Sequence, residues 1–147
     1  MRRPITENVA TVLEQELMTT IDRWVQRVYR IPSLTSIPLT YHERTGHLPH
    51  LLKDLITSLR GEDGPPTTSA YYHGEVRFEQ GYSVEMLVEE SRLLKISILE
   101  TLRLHQASLQ PAMIMKDVKT ISRECDRQLR HAMETFINLD RCRHMAA

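Results

Sequence analysis

The segment YYHGEVRFEQGYS at positions 71–83 runs directly into VEMLVEESRLLKISILETL at positions 84–102, and together they specify the centre of the predicted fold. Gly81 permits a sharp bend of the backbone, because glycine lacks the Cβ that restricts other residues. Ser83 belongs to the residue types that cap a helix by accepting a backbone N–H. The unbroken run after Ser83 therefore predicts a long helix from Val84 to about Gln106. The segment contains no recognisable catalytic or cofactor motif.

The predicted long helix has two apolar faces when its residues are placed at steps of about 100°. The broader face, which we predict to pack on the core, consists of Val84, Leu87, Val88, Leu94, Ile98, Leu99 and Leu102. The second face consists of Met86, Leu93, Ile96 and Leu104. Because a helix with two apolar faces needs two packing partners, we predict that the second face contacts another helix of the chain or a second subunit.

Polar residues also lie on this helix. Ser91 and Lys95 fall within the broader face, where they indicate a polar pocket or a dimer contact, unless Lys95 extends its ammonium group to the surface. Glu89 and Glu90 are adjacent and point about 100° apart. This spacing predicts a solvated or salt-bridged edge and excludes a pair of cooperating catalytic carboxylates.

The N-terminal part of the chain predicts one helix followed by a loop. Thr6 is a suitable N-cap, and apolar residues then recur at helical spacing as far as Val28. Pro32 disfavours helix at the residue before it, so we expect this helix to end near Tyr29 or Arg30. The stretch 31–38 contains two prolines and is predicted to be a loop.

Several short signatures divide the middle of the chain. Thr40 and Glu43 have the spacing of a capping box, which predicts a short helix that Gly46 ends. Pro49 suits the first turn of a further helix, expected to end near Arg60. A Gly- and Pro-rich loop at 61–66 then separates it from a helix predicted over 68–79.

The last helix begins near Pro111 and carries a narrow apolar seam. The seam consists of Ile114, Val118, Ile121, Cys125, Leu129, Ala132, Phe136 and Leu139. Its mean spacing is about 3.6 residues, which is typical of a coiled coil or a bundle helix that runs past the domain body. No segment has the alternation of a strand. The sequence therefore predicts an all-α bundle of about five to six helices, with the long central and C-terminal helices forming a dimeric bundle.

Composition narrows the function. The 147 residues suit one domain, and 19 basic and 19 acidic side chains give no net charge, which argues against a nucleic-acid partner. No run of about 18 apolar residues predicts a membrane span, and the N-terminus lacks the apolar core of a signal peptide. We therefore expect a cytoplasmic protein without a membrane partner. Because no phosphate-binding loop or nucleophile elbow is present, we expect no enzymatic activity.

Two groups of residues are candidate binding sites. His73 and Arg77 lie four residues apart on one helix face, and with Tyr72, Gln80 and Tyr82 they are predicted to form a ligand pocket. A structural role in the core is the alternative for all five. A second group, His42, His47 and His50, suggests a metal site. Gly46 and Pro49 interrupt the helix between these histidines, so capping and surface roles are the alternative, and we expect neither a metal nor a cofactor.

Three blocks of sequence together resemble the RsbRD-type N-terminal domain of RsbR-like stressosome proteins, which also precedes certain sensor histidine kinases. The most specific block is His73-Gly74, Arg77 and Gln80-Gly81-Tyr82. The other two are Leu39-Thr40 with Glu43-Arg44, His47-Leu48-Pro49, Leu52 and Leu55-Ile56, and Leu87 with Glu90 and Arg92-Leu93-Leu94. The resemblance covers roughly positions 6–136.

The resemblance implies a globin-like helical domain without haem that forms a homodimer and passes a signal along its last helix to a STAS or histidine-kinase output module. We expect the dimer interface to contain Met86, Leu93, Ile96, Val118, Ile121, Cys125, Leu129 and Phe136. Because these 147 residues contain no output module, we expect either a stand-alone version of the domain or a sensory domain excised from a longer protein. The alternative function is a globin-like haem or small-molecule sensor with a histidine ligand, and a metal-dependent hydrolase built on His42, His47 and His50 is a third hypothesis.

Overall fold

The computed structural model describes residues 8–62 and 68–146. The predicted cap Thr6 and positions 63–66 of the predicted loop lie outside these residues. The described backbone is helical and contains no β-strand, which confirms the all-α prediction. The helices are α1 (Val9–Gln15), α2 (Leu17–Val28), α3 (Pro32–Thr35), α4 (Tyr41–Thr45), α5 (Leu48–Leu59), α6 (Ser69–Glu79), α7 (Val84–Leu104) and α8 (Pro111–Ala146).

The N-terminal region differs from the prediction in two places. The expected single helix is divided at Glu16, whose backbone is not helical (φ −101°, ψ 22°). This break lets α1 pack against α5 while α2 packs along α7. The first cap is Asn8, whose side chain accepts the N–H of Thr11 at 2.8 Å. The predicted loop 31–38 contains the helical turn α3, which begins with Pro32 because proline suits the first position of a helix.

The caps in the middle of the chain are confirmed. The Thr40 side chain accepts the N–H of Glu43, and the Glu43 carboxylate accepts the N–H of Thr40. Gly46 is the C-cap of α4, and α5 has proline in its first turn. Ser83 caps α7 by accepting the N–H of Met86. These local contacts fix where the helices begin and end. Side chains from α4, α6 and α7 then meet in the interior.

The central helix α7 buries only part of its two predicted apolar faces. Of the face expected to pack on the core, Leu87, Leu94, Ile98 and Leu102 are buried. Val88 is 44% exposed, which is a correction. The second face is divided, because Met86 and Leu93 are buried and the rest is exposed.

Helix α8 turns back along α7 after a 3-10 turn at Gln106–Ser108 and then packs along α6. Gly74 of α6 lies against the backbone of Ala132, and Phe78 meets the Phe136 ring edge-on at 5.3 Å. From the first contact to the second, the chain advances by four residues on both helices, so α6 and α8 run in the same direction. The Arg143 guanidinium lies 4.4 Å from the centre of the Phe78 ring. The second half of α8 is therefore held against the domain body as far as Arg143.

Candidate functional site

A buried ion pair between α6 and α7 is the centre of the candidate site. Arg77 is fully buried and Glu90 is 2% exposed, and the Arg77 Nε donates to Glu90 Oε1 at 2.9 Å. Arg77 also donates to Gln80 Oε1 and to the carbonyl oxygen of Arg44, both at 2.7 Å. Each guanidinium nitrogen thus has an acceptor, which a buried cation requires.

A second buried arginine lies beside this pair. Arg44 is 2% exposed and donates to the Tyr82 hydroxyl and to the Ile37 carbonyl, each at 3.2 Å. Within the described ranges no carboxylate lies within 4 Å of its guanidinium, so its acceptors are neutral. Burial, followed by the charge of Glu90, raises the pKa of the Tyr82 phenol well above its usual value. Tyr82 therefore stays protonated between the two charged groups.

Two histidines extend the cluster. The His73 Nε2 lies 3.0 Å from Glu90 Oε1, and the ring centres of His47 and His73 are 4.3 Å apart. Burial lowers the pKa of both rings, that of His47 to about 2, so both are neutral near pH 7. Because the Glu90 carboxylate can only accept, neutral His73 donates from Nε2, and its Nδ1 is a bare acceptor.

Glu90 remains ionised despite its burial. Desolvation alone would raise the pKa of its carboxyl group, but Arg77 and His73 outweigh that effect and lower the pKa to about 2. The Glu90 backbone also takes part, because its carbonyl oxygen accepts the indole N–H of Trp24 at 3.0 Å. Glu90 is consequently fixed through both its side chain and its backbone.

An inner cavity and an outer cleft flank His47 and His73, whose rings are tilted by 42° to each other. The inner cavity, about 30 Å³, is bounded by Trp24, Leu48, Leu51, His73, Leu87, Glu90, Ser91, Leu94, Cys125, Gln128, Leu129 and Ala132. It has room for one or two water molecules. The outer cleft is about 360 Å³ and is bounded by His42, Glu43, Gly46, His47, His50, Tyr72, Val76 and Gln80. Only the cleft reaches the range of about 300–1,000 Å³ that is usual for ligand sites.

The structure brings together most of the predicted pocket. His73, Arg77, Gln80 and Tyr82 belong to one network around Glu90. Tyr72 lies apart from that network, since it is 56% exposed and lines the outer cleft. The residues form two neighbouring sites, one buried and one open, instead of one pocket.

Three residues of the cluster had a different predicted role or none. Glu89 and Glu90 were expected at a solvated or salt-bridged edge, and both form ion pairs, but the position of Glu90 is corrected because it is buried while Glu89 pairs with Arg92 at the surface. Its position three residues after Leu87 and four before Leu94 places it on the core face and could have identified it. His47 was expected in a capping or surface position if it held no metal, and Arg44 had no predicted role; both are buried. No local pattern reveals them, because their partners come from distant helices.

The predicted dimer residues also divide into two groups. Five of them are buried within the chain's own core, namely Met86, Leu93, Ile121, Cys125 and Phe136. This is a correction, and its physical reason is that α6, α7 and α8 fill each other's apolar faces. Ile96 is 36% exposed, while Val118 and Leu129 are partly exposed and remain available to a second subunit. Lys95 pairs with Asp126 of α8 at 3.0 Å, and Ser91 borders the inner cavity.

Acid should destabilise the fold through the two buried histidines. Their pKa values are lowered in the folded chain, so the unfolded chain binds more protons below pH 6.5. The free energy of unfolding therefore decreases as the pH is lowered. We expect the free energy of unfolding to fall by about 1.4 kcal/mol per pH unit for His47 below that pH. Urea unfolding between pH 7.5 and 5 measures this slope.

Two variants test whether His47 causes this pH dependence of the free energy of unfolding. His47→Leu should remove its share of the pH dependence, whereas His144→Gln, on the exposed end of α8, should leave the slope unchanged. Equal slopes for wild type and His47→Leu would show that His47 is not held neutral.

No protein-family model matches the chain, and neither does any curated protein or solved structure. Within residues 8–62 and 68–146, no helix combines the length and apolar content needed to cross a membrane. The same residues contain no set of three His, Cys, Asp or Glu side chains placed to hold a metal ion.

Proposed function

We propose that the chain is a cytoplasmic sensory and dimerisation domain of a bacterial stress-response or two-component signalling protein. Its output partner would be a STAS or histidine-kinase module, as the RsbRD-type resemblance implies. The proposed fold is globin-like, and the proposed output element is α8. The proposal includes no catalytic residue, because the buried network consists of the Arg77–Glu90 ion pair and its neighbours and does not place a nucleophile beside a base.

The position of Leu129 carries this proposal. Its side chain borders the inner cavity beside His73 and Glu90, and it also borders a shallow groove on the outer surface of α8. One side chain thus separates the buried site from an exposed surface. A displacement at the site would therefore reach the surface through a single helix, which suits a domain that converts an internal change into an altered interface.

The occupant we propose for the outer groove is a second copy of this chain. The groove is bounded by Asp126, Leu129, Arg130, Met133, Glu134 and Ile137. Its apolar floor is flanked by three charged residues at four-residue spacing, the acidic Asp126, the basic Arg130 and the acidic Glu134. In a two-fold interface each patch meets itself, so Arg130 of one copy can face Glu134 of the other in both directions. The surface is therefore complementary to itself in charge.

The haem alternative does not fit the inner site. The cavity beside His73 is about 30 Å³, far below the usual range of about 300–1,000 Å³ for ligand sites. The Nε2 of His73 is also already bonded to Glu90. A haem would require separation of the α6–α8 pair and exposure of the Arg77–Glu90 pair.

Dimerisation should depend on the apolar floor of the groove. We expect the double variant Met133→Asp/Ile137→Asp to be monomeric at tens of micromolar, because facing copies would bury like charges in place of apolar surface. Light scattering during gel filtration measures the mass. The control Met145→Asp adds a charge to a side chain of the same helix that is 87% exposed and lies outside the groove.

The control should retain the wild-type mass. If the double variant has the wild-type mass and a native circular dichroism spectrum, the groove is not the interface.

A further inference from the structure

The cluster beneath the outer cleft carries an unbalanced positive charge. Arg44 and Arg77 are buried and cationic, whereas Glu90 is the only buried carboxylate in contact with them in the described part of the chain. The two neighbouring imidazoles are neutral. The sum is one net positive charge close to the inner wall of the cleft. Buried charges in proteins are normally paired, so this excess favours an anion nearby.

The wall of the cleft also offers an unused polar group. His47 is 5% exposed and borders the cleft, and its Nε2 has no hydrogen-bond partner among the described residues. A buried polar nitrogen without a partner costs about 1–3 kcal/mol, so a ligand that satisfies it gains that amount. His47 thus brings a buried nitrogen without a hydrogen-bond partner to the wall of the cleft.

The remaining lining favours an acceptor-rich ligand. His42, His50 and Tyr72 line the cleft and are exposed, and each can donate a hydrogen bond. Two of the side-chain oxygens at the cleft already accept hydrogen bonds, because the Gln80 Oε1 accepts from Arg77 and the Glu43 Oε1 accepts the Thr40 N–H. The Glu43 carboxylate is also solvated, so water screens its charge.

We propose that the outer cleft is the input site of the domain and binds a small organic carboxylate. The carboxylate would accept a hydrogen bond from His47 Nε2 and from the imidazoles of His42 and His50, and Val76 would contact the apolar part. The cleft volume of about 360 Å³ suits a single-ring acid. This site assignment deepens the proposed sensory function, since it supplies the ligand class that the sensor would detect.

Benzoate and its neutral analogue benzamide test this assignment on the full chain. Histidine-selective NMR follows the ring resonances during each titration. We expect saturable shifts at His47 with benzoate and at least about tenfold weaker binding of benzamide. The variant His42→Gln/His50→Gln alters only exposed side chains and should weaken benzoate binding about tenfold. His144→Gln is the matched control on the far end of α8 and should bind as wild type does.

Three results would overturn the assignment: equal affinity for benzamide, wild-type affinity in His42→Gln/His50→Gln, or no saturable shift up to about 10 mM benzoate. Repeating the titration on Met133→Asp/Ile137→Asp separates this proposal from the dimer. The cleft lies outside the groove, so carboxylate binding should persist in the monomeric variant. If the wild type is monomeric and binds benzoate, the proposed dimer is refuted and the carboxylate site is not.

Discussion

Glu90→Gln should lower the free energy of unfolding by about 3–5 kcal/mol, the usual cost of removing one partner of a buried ion pair. The substitution preserves the volume of the side chain but leaves Arg77 fully buried without a counter-charge. It also replaces the carboxylate that accepts a hydrogen bond from neutral His73 with an amide, whose oxygen is a weaker acceptor. Urea denaturation at pH 7 measures the loss.

The neighbouring residue provides a matched control. Glu89→Gln changes the same side chain one position earlier, where the carboxylate pairs with Arg92 at the surface, and should cost less than about 1 kcal/mol. Arg77→Met combined with Glu90→Gln should cost less than the sum of the two single variants, because the unpaired buried charge is then absent. Equal costs for the Glu89 and Glu90 variants would contradict the buried ion pair.

Gly74→Ala should destabilise the chain by about 3 kcal/mol, although alanine normally stabilises a helix relative to glycine. A Cβ at this position would lie 2.1 Å from the carbonyl oxygen of Ala132, and backbone cannot move aside as a flexible side chain can. Helices α6 and α8 would have to separate along their whole contact. Thermal and urea unfolding measure this effect.

The decisive result for Gly74→Ala is whether the free energy of unfolding falls or rises. The control Glu75→Ala changes the adjacent, exposed residue of α6 and should alter stability by no more than about 0.5 kcal/mol. If Gly74→Ala is as stable as wild type or more stable, α6 and α8 do not cross as closely as the structure requires.

The predictable part of the fold depends on neighbours in sequence. The Thr40–Glu43 capping box, the Ser83 cap and the start of α8 at Pro111 each result from contacts within a few residues, and each is confirmed. The division at Glu16 was not predictable, because it depends on α1 and α2 packing on different helices. Apolar periodicity likewise predicts which residues are buried but not which helix covers them.

In the candidate site, too, the predictable residues are those that depend on neighbours in sequence. His73 and Arg77 were found because they share one helix face, and Gln80 follows one turn later. Arg44 and His47 were missed, because their burial depends on contacts with Tyr82 and His73, which lie more than twenty residues away. Five interface predictions were misplaced because an apolar seam has the same spacing whether its partner is the same chain or another copy.

The molar mass of the wild-type chain, measured by sedimentation equilibrium over a range of concentrations, shows whether two copies associate through the α8 groove. A sensory domain that acts through the α8 groove should give twice 17.1 kDa at tens of micromolar and dissociate reversibly on dilution. A mass of 17.1 kDa at every concentration would contradict it, since Leu129 would then separate the buried site from a surface that no second copy covers.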